Sequence, residues 1–147
     1  DEFRRYLIHE RSQGITIEEG VWSRAQHKGV RERGYPYVSA FGDSDGEECL
    51  QAVDQKGTLM GYIILHRNYI FDFVIDPQYM GCSIGTALLA VAGAKLCKSG
   101  AETVALDVRR GNAPAVKFYE HHGFVVTEKT FPPWYDWHGG YHMEANT

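Results

Sequence analysis

Apolar positions recur along this chain with two different periods, and the change of period marks where helix and strand are expected. From Asp1 to about Arg11, Phe3, Leu7 and Ile8 stand at helical spacing among charges, which predicts a short amphipathic helix. Thr16 followed by Glu19 has the form of a capping box. Ile17, Val21, Trp22, Ala25 and Val30 then continue one stripe as far as Gly34, so a second helix is expected there. The stretch from Tyr35 to Glu48, with Pro36, Gly42, Asp43, Ser44, Asp45 and Gly46, reads as a loop or a short irregular strand. Three apolar runs follow, Cys49 to Val53, Thr58 to His66 and Tyr69 to Ile75. The turn signals Gln55-Lys56-Gly57 and Arg67-Asn68 divide them, which is the spacing of an antiparallel meander.

Beyond Asp76-Pro77 the period changes. Ile84, Leu88, Val91 and Lys95, flanked by Ala87, Leu89, Ala92 and Leu96, predict a helix that Gly100 ends. Val104, Leu106 and Val108 alternate with Thr103, Ala105 and Asp107 as a strand, and a helix runs from Pro114 to His122 with Gly123 as its stop. Phe124 to Thr127 predicts another strand, and a loop through Pro132-Pro133 returns as a last strand near Tyr141 to Met143.

Composition narrows the picture. With 147 residues, 44% of them hydrophobic and 13% aromatic, the chain fills one core, so residues 1–147 are expected to form a single domain. The formal charge of −4 comes from acids and bases mixed along the whole length, with no basic stripe, which argues against nucleic acid as a partner. No run reaches the ~18 apolar residues of a membrane span, and the N-terminus lacks a charged-then-apolar leader, so a protein of the cytoplasm that does not enter membranes is expected. The chain begins at Asp1 rather than at a methionine, from which further residues ahead of it are expected. Cys49, Cys82 and Cys97 form an odd set without metal or disulfide spacing and read as reduced thiols. The seven histidines lack the spacing of a metal site.

Four places carry candidate chemistry. Asp76 to Thr86 joins a strand directly to a helix N-terminus through small residues. The backbone N–H groups of Gly81, Cys82, Ser83, Ile84, Gly85 and Thr86, with the helix dipole, would make an anion site suited to a pyrophosphate, although two glycines there also serve a tight connection. In the preceding strand, alternation sets Tyr69, Phe71, Phe73 and Ile75 on one face and Ile70, Asp72, Val74 and Asp76 on the other. Asp72 among apolar neighbours would have its pKa raised by desolvation, as suits a general base; an acid on an open part of the sheet is the alternative. Asp107 interrupts the next strand and is either a catalytic acid or a plain ion pair with Arg109 or Arg110. Finally, Asn112 is placed to cap a helix that ends near Tyr119, whose phenol either packs or reaches the sheet.

Taken together, Asp76-Pro77-Gln78-Tyr79-Met80-Gly81-Cys82-Ser83-Ile84-Gly85-Thr86-Ala87-Leu88-Leu89 resembles the acetyl-CoA pyrophosphate loop and helix of the GCN5-related N-acetyltransferase (GNAT) superfamily. Leu106-Asp107-Val108-Arg109, followed by Asn112, Ala115, Phe118-Tyr119 and Gly123-Phe124, is similar to its second conserved block. The likeness runs from about Leu59 to Val126. It implies an α/β (α+β) fold: a mixed, mostly antiparallel central sheet flanked by helices, with strands splayed at the acetyl-CoA site. The family's usual first strand has no clear counterpart, which places it upstream of Asp1. Two positions depart from the pattern: Met80 stands where Arg or Gln is usual and Ser83 where Gly is usual, so Ser83 needs a φ open to a non-glycine residue.

The resemblance also implies roles. The pantetheine arm of acetyl-CoA would lie along the backbone of Phe73, Val74 and Ile75, its pyrophosphate on Gly81 to Thr86, and Asn112, Phe118 and Tyr119 on the cofactor side. A primary amine of a small molecule or of a peptide or protein N-terminus would attack the thioester directly, with Tyr119 as the acid for the leaving thiolate and Asp107 or Asp72 as the base. Trp134, Tyr135 and Trp137, in an aromatic and mildly acidic segment with Phe131, Tyr141, Asp136 and His138, would receive the cationic acceptor or else pack in the core. A protein lysine or a charged tRNA is a rival acceptor. An acyl-CoA sensor or an inactive relative is the reading from another class, prompted by Met80 and Ser83. Exposed sheet edges would admit a homodimer.

Overall fold

Strands that pair with their sequence neighbours need only tight turns, and the first half of this chain is built that way. The computed structural model describes residues 8–12, 14–34, 46–81, 83–130 and 140–147. Within them lie β1 (Ile8–Ser12), β2 (Ile15–Val21), α1 (Arg24–Gly34), β3 (Glu48–Val53), β4 (Leu59–His66) and β5 (Tyr69–Ile75). After these come α2 (Ile84–Lys98), β6 (Thr103–Arg109), α3 (Ala113–His121), β7 (Val125–Thr130) and β8 (Gly140–Asn146). Most of the predicted 35–48 loop, Cys82, and the Trp134, Tyr135 and Trp137 segment lie outside the described residues.

The eight strands form one sheet in the order β1-β2-β3-β4-β5-β6-β8-β7. Every neighbouring pair is antiparallel except β5 and β6, which α2 connects as a crossover. The meander β3-β4-β5 is as expected. Its first turn is held by Asp54, whose Oδ1 accepts from the backbone N–H of Lys56 at 2.8 Å and of Thr58 at 2.9 Å.

The N-terminal expectation is corrected from Ile8 onward, and residues 1–7 of the expected first helix lie outside the described residues. Ile8–Ser12 is strand, and so is Ile15–Val21. The helix starts only at Arg24. Thr16 and Glu19 are therefore not a capping box. Ile15, Ile17 and Glu19 share one sheet face by period two, with Ile17 wholly buried and Glu19 meeting Lys95 of α2, while Glu18 faces the other way toward Gln51. Six-residue pairing with β3 on one side and the β1 hairpin on the other overrides a stripe that helical and strand periods share over so short a run. A strand thus opens the sheet within the chain itself.

The two faces carry separate cores. Against α2 lie Ile17, Leu50, Ile63, Leu65, Ile70, Leu106 and Met143, with Ile84, Leu88, Ala92 and Leu96 of the helix buried on them. Burying each large aliphatic side chain there contributes about 1.5–3 kcal/mol, so α2 is fixed chiefly by packing. Under α1, which contributes Val30, lie Trp22, Cys49, Tyr62, Ile64 and Val74. Among the described residues no helix is long and apolar enough to cross a membrane.

Candidate active site

The parallel ladder between β5 and β6 is short. It joins Tyr69 to Ala105 and Ile70 to Leu106 and stops there. Beyond that point β5 stays with β4, pairing Phe73 with Ile63, Val74 with Tyr62 and Ile75 with Gly61. Strand β6 stays with β8, pairing Asp107 with His142, Val108 with Tyr141 and Arg109 with Gly140. The two strands therefore part into a cleft, and the β6-facing edge of Phe73, Val74 and Ile75 is where an extended amide chain could add itself to the sheet. A register shift between Ile64 and Leu65 puts one extra residue, Phe71, into β5. Strict alternation along β5 is corrected by this bulge: Ile70 joins Phe73 and Ile75 against the α2 core, while Phe71 and Val74 pack in the α1 core.

One end of the cleft is a helix N-terminus. Asp76 accepts from the Gln78 backbone N–H at 3.3 Å and opens a short 3-10 turn, Pro77–Tyr79, before the chain passes Gly81 at φ +83° and Ser83 at φ 64° and ψ 15° into α2. Ser83 thus occupies the left-handed region that favours glycine, and its side chain makes no capping hydrogen bond. The first-turn N–H groups of Ile84, Gly85 and Thr86 are left for a ligand, no acidic residue stands in that turn, and the helix dipole adds positive potential. Gly85 sits close under α3: a Cβ there would stand 3.3 Å from the Phe118 ring, tight enough that the ring would have to give by a few tenths of an ångström. Thr86 Oγ1 lies 3.2 Å from His122 Nε2, which ties this turn to the end of α3, and burial with neighbouring His121 pulls the pKa of His122 down. Met80 is 63% exposed.

Asp76 is 1% exposed, and Arg33 at the end of α1 reaches it with Nε at 2.8 Å and Nη2 at 2.7 Å, both on Oδ2. Burial alone would raise this carboxyl, but hydrogen bonds from Arg33 and Gln78 outweigh it and hold the pKa below the ordinary value. The helix on one sheet face is thereby fastened to the loop that feeds the helix on the other.

The candidate acids share the α1 face. Asp72 has its pKa raised, first by burial, with Arg31, the Phe73 N–H and the Tyr62 hydroxyl working the other way. The Phe73 N–H donates to Oδ1 at 3.0 Å and the Tyr62 hydroxyl to Oδ2 at 3.3 Å. Asp107 accepts from His142 Nδ1 on Oδ1 at 2.8 Å and from the Tyr69 hydroxyl on Oδ2. His142 Nε2 in turn stands 3.6 Å from Glu144 Oε2. Sequence reading missed Tyr69, His142 and Glu144. The signal was present: in Tyr141-His142-Met143-Glu144, alternation puts His142 and Glu144 on one face once Met143 is assigned to the core.

Tyr119 is on the opposite side. It is 9% exposed within the α2 core, with its ring centroid 6.3 Å from Phe73, 5.5 Å from Phe118 and 5.6 Å from Phe124. Asn112 caps α3, its Oδ1 accepting from the Ala115 N–H at 3.4 Å. The structure thus brings Phe73, Phe118, Tyr119, Gly85 and Thr86 to one side of the cleft and Asp72 and Asp107 to the other.

A sheet opened between two parallel strands, with an uncapped helix N-terminus at one end of the opening, defines an acyl-CoA-type transferase architecture. The chain belongs to the Acetyltransferase (GNAT) family, whose sequence profile matches residues 16–124. It is 31% identical over 115 residues to the [ribosomal protein bS18]-alanine N-acetyltransferase of Escherichia coli strain K12, covering 74% of this chain and 78% of that one. Its fold is similar to that of Ard1 from Thermoplasma volcanium, with a TM-score of 0.74 at 21% identity over 91% of this chain and 98% of that one. It is also similar to the PaiA N-acetyltransferase of Thermoplasma acidophilum in complex with coenzyme A, with a TM-score of 0.57 at 28% identity over 67% of this chain and 60% of that one. An acetyl-CoA-dependent N-acetyltransferase is therefore the class of enzyme to which this chain is assigned.

Proposed function

We propose that the chain transfers the acetyl group of acetyl-CoA to the α-amine of a peptide or protein N-terminus by direct attack on the thioester. The observation that carries this reading is the two-sided cleft: carboxylates on the α1 face, Tyr119 on the α2 face, and the strand opening between them. The pantetheine amides would pair with the free edge of Phe73, Val74 and Ile75, and the pyrophosphate would take the N–H groups from Gly81 to Thr86, Cys82 included. Asn112 and Phe118 would border the cofactor. The amine enters from the α1 face and loses its proton there. Its nitrogen bonds to the acetyl carbon, a backbone N–H at the cleft meets the charge on the carbonyl oxygen, and the C–S bond breaks. The departing thiolate takes a proton from the Tyr119 hydroxyl, and the second proton of the attacking nitrogen returns through water to the Tyr119 phenolate.

Acceptor choice rests on two supports. An alanine within a protein chain has no acetylatable nitrogen except its α-amine at the N-terminus, so the bS18-alanine relative makes an N-terminal amine the nearest precedent. The α1 face also bears Asp107, Glu144 and Asp72, which favour a cation on arrival. Trp134, Tyr135 and Trp137 stay candidates for holding the residues behind that amine. Relatives that are transferases disfavour a pure acyl-CoA sensor.

The test is acetyl-CoA titration by calorimetry combined with thiol release over a panel of N-terminal peptides and small amines. Wild type should bind and turn over, and Tyr119→Phe should bind equally while losing about 10²–10⁴-fold in thiol release. Failure to bind acetyl-CoA, or turnover confined to small amines, would reject the assignment as stated.

A further inference from the structure

Asp107, Tyr69, His142 and Glu144 form a connected row on the α1 face at the point where the cleft opens. Both carboxylate oxygens of Asp107 already accept a hydrogen bond, Oδ1 from His142 and Oδ2 from Tyr69, so the carboxylate is held in place with one lone pair of each oxygen engaged. A carboxylate accepts only, and Asp107 stands at hydrogen-bond distance from Nδ1 while Glu144 is 3.6 Å from Nε2, beyond it, so the hydrogen of the neutral imidazole goes to Nδ1 and the lone pair to Nε2. The Tyr69 ring lies against the imidazole, centroid to centroid 6.5 Å with 19° between planes, and fixes its orientation. His142 is a quarter exposed, so its outer nitrogen is accessible from the same side as the acceptor.

We infer that His142 is the proton acceptor of the reaction and that Asp107 is the residue that orients it, a carboxylate–imidazole pair in place of a lone carboxylate base. This rests on the transferase reading above. In the step, the acceptor ammonium gives one proton to His142 Nε2 and its nitrogen pair attacks the acetyl carbon; the C–S bond breaks, the thiolate is protonated by Tyr119, and the second proton of the attacking nitrogen passes through water to the Tyr119 phenolate, which leaves a neutral amide and restores the acid. The imidazolium so formed has Asp107 at Nδ1 and Glu144 at Nε2, and Glu144, 38% exposed, passes the proton to water. The groups facing His142 are Asp107 from β6, Tyr69 from β5, Glu128 from its register partner strand β7, and Glu144 from β8 itself.

The experiment is the pH dependence of kcat/KM for peptide acetylation in wild type, His142→Gln and Asp107→Asn, with acetyl-CoA affinity and melting temperature measured on each. His142→Gln should lose about 10²–10⁴-fold, flatten the acid limb of the profile and leave acetyl-CoA binding unchanged. Asp107→Asn should lose less than His142→Gln and keep an acid limb. The inference is overturned if Asp107→Asn abolishes turnover while His142→Gln retains both rate and acid limb, since Asp107 is then the base and transfer to amines still stands. A wild type that binds acetyl-CoA but acetylates no amine removes the transferase reading itself, and the proton-acceptor role with it.

Discussion

Replacing Arg33 by Ala tests how α1 and the α2 loop are held together. Asp76 is almost wholly buried, and two guanidinium nitrogens reach the same oxygen at 2.8 and 2.7 Å. Removing one partner of a buried pair typically costs about 3–5 kcal/mol. Arg33 is itself 54% exposed and Gln78 keeps its own bonds to Asp76, so the loss falls short of that figure. In a domain of this size the melting temperature should fall by about 3–10 °C. The sign with pH follows from the lowered pKa of Asp76. In wild type this carboxyl contributes stability above its unfolded value, and that stability is lost as pH falls through the still lower folded value. In Arg33→Ala the strongest opposing force to burial is gone, so protonation relieves the defect. Urea unfolding of both proteins at pH 7 and near pH 3.5 should therefore show a gap that narrows at acid pH. The double variant Arg33→Ala with Asp76→Asn should recover part of the loss, because no buried charge is then stranded. A gap below about 0.5 kcal/mol at pH 7, the ordinary size for an exposed pair, or a gap independent of pH, refutes the argument.

Two further outcomes follow from local geometry. Ser83→Gly relieves a left-handed conformation worth about 1–2 kcal/mol against a backbone entropy cost of about 0.5–1 kcal/mol, and no capping bond is lost, so thermal melting should rise slightly while acetyl-CoA affinity holds; a fall of several degrees would mean the hydroxyl has a structural role. Asp72→Asn removes a carboxylate that burial disfavours, so melting at pH 7 should hold or rise; because the folded pKa of Asp72 is raised, wild type should gain on the variant as pH falls toward the carboxylate range, and a variant strongly destabilised at pH 7 would contradict this.

How far the sequence could be read depends on whether one period or two fit each segment. The α2 stripe, fifteen residues long and bounded by Gly100, admits only a helix, and the meander is punctuated by turns that admit only hairpins. Residues 15–21 have β-branched positions that satisfy either period, and what decides is pairing with β3, thirty residues away in sequence, which no local pattern records. The same limit hid the bulge at Phe71, since an extra residue in β5 is visible only against β4. The site divides alike. Tyr119, Gly85 and Asp72 could be placed from their own elements. The partners of Asp107 could not: the bland expectation is an arginine two or three residues on, whereas His142 reaches it across β6 and β8 and Tyr69 across the one parallel step among the described strands.

That parallel step also explains why the site is where it is. An antiparallel neighbour can follow β5 by a hairpin and keep its ladder to the end, as β4 does, but a crossover through α2 returns β6 from the far side with register fixed only at Tyr69 and Ile70. Beyond Ile70 the bulge turns β5 toward α1 while seven paired residues hold β6 to β8, so the strands diverge. Divergence exposes backbone on β5 at the same level where Asp107 and His142 face one way and Tyr119 the other. On the proposed mechanism, a substrate threaded through the opening would be deprotonated on one face and have its leaving group protonated on the opposite one, and the sheet between them would keep the base from neutralising the acid.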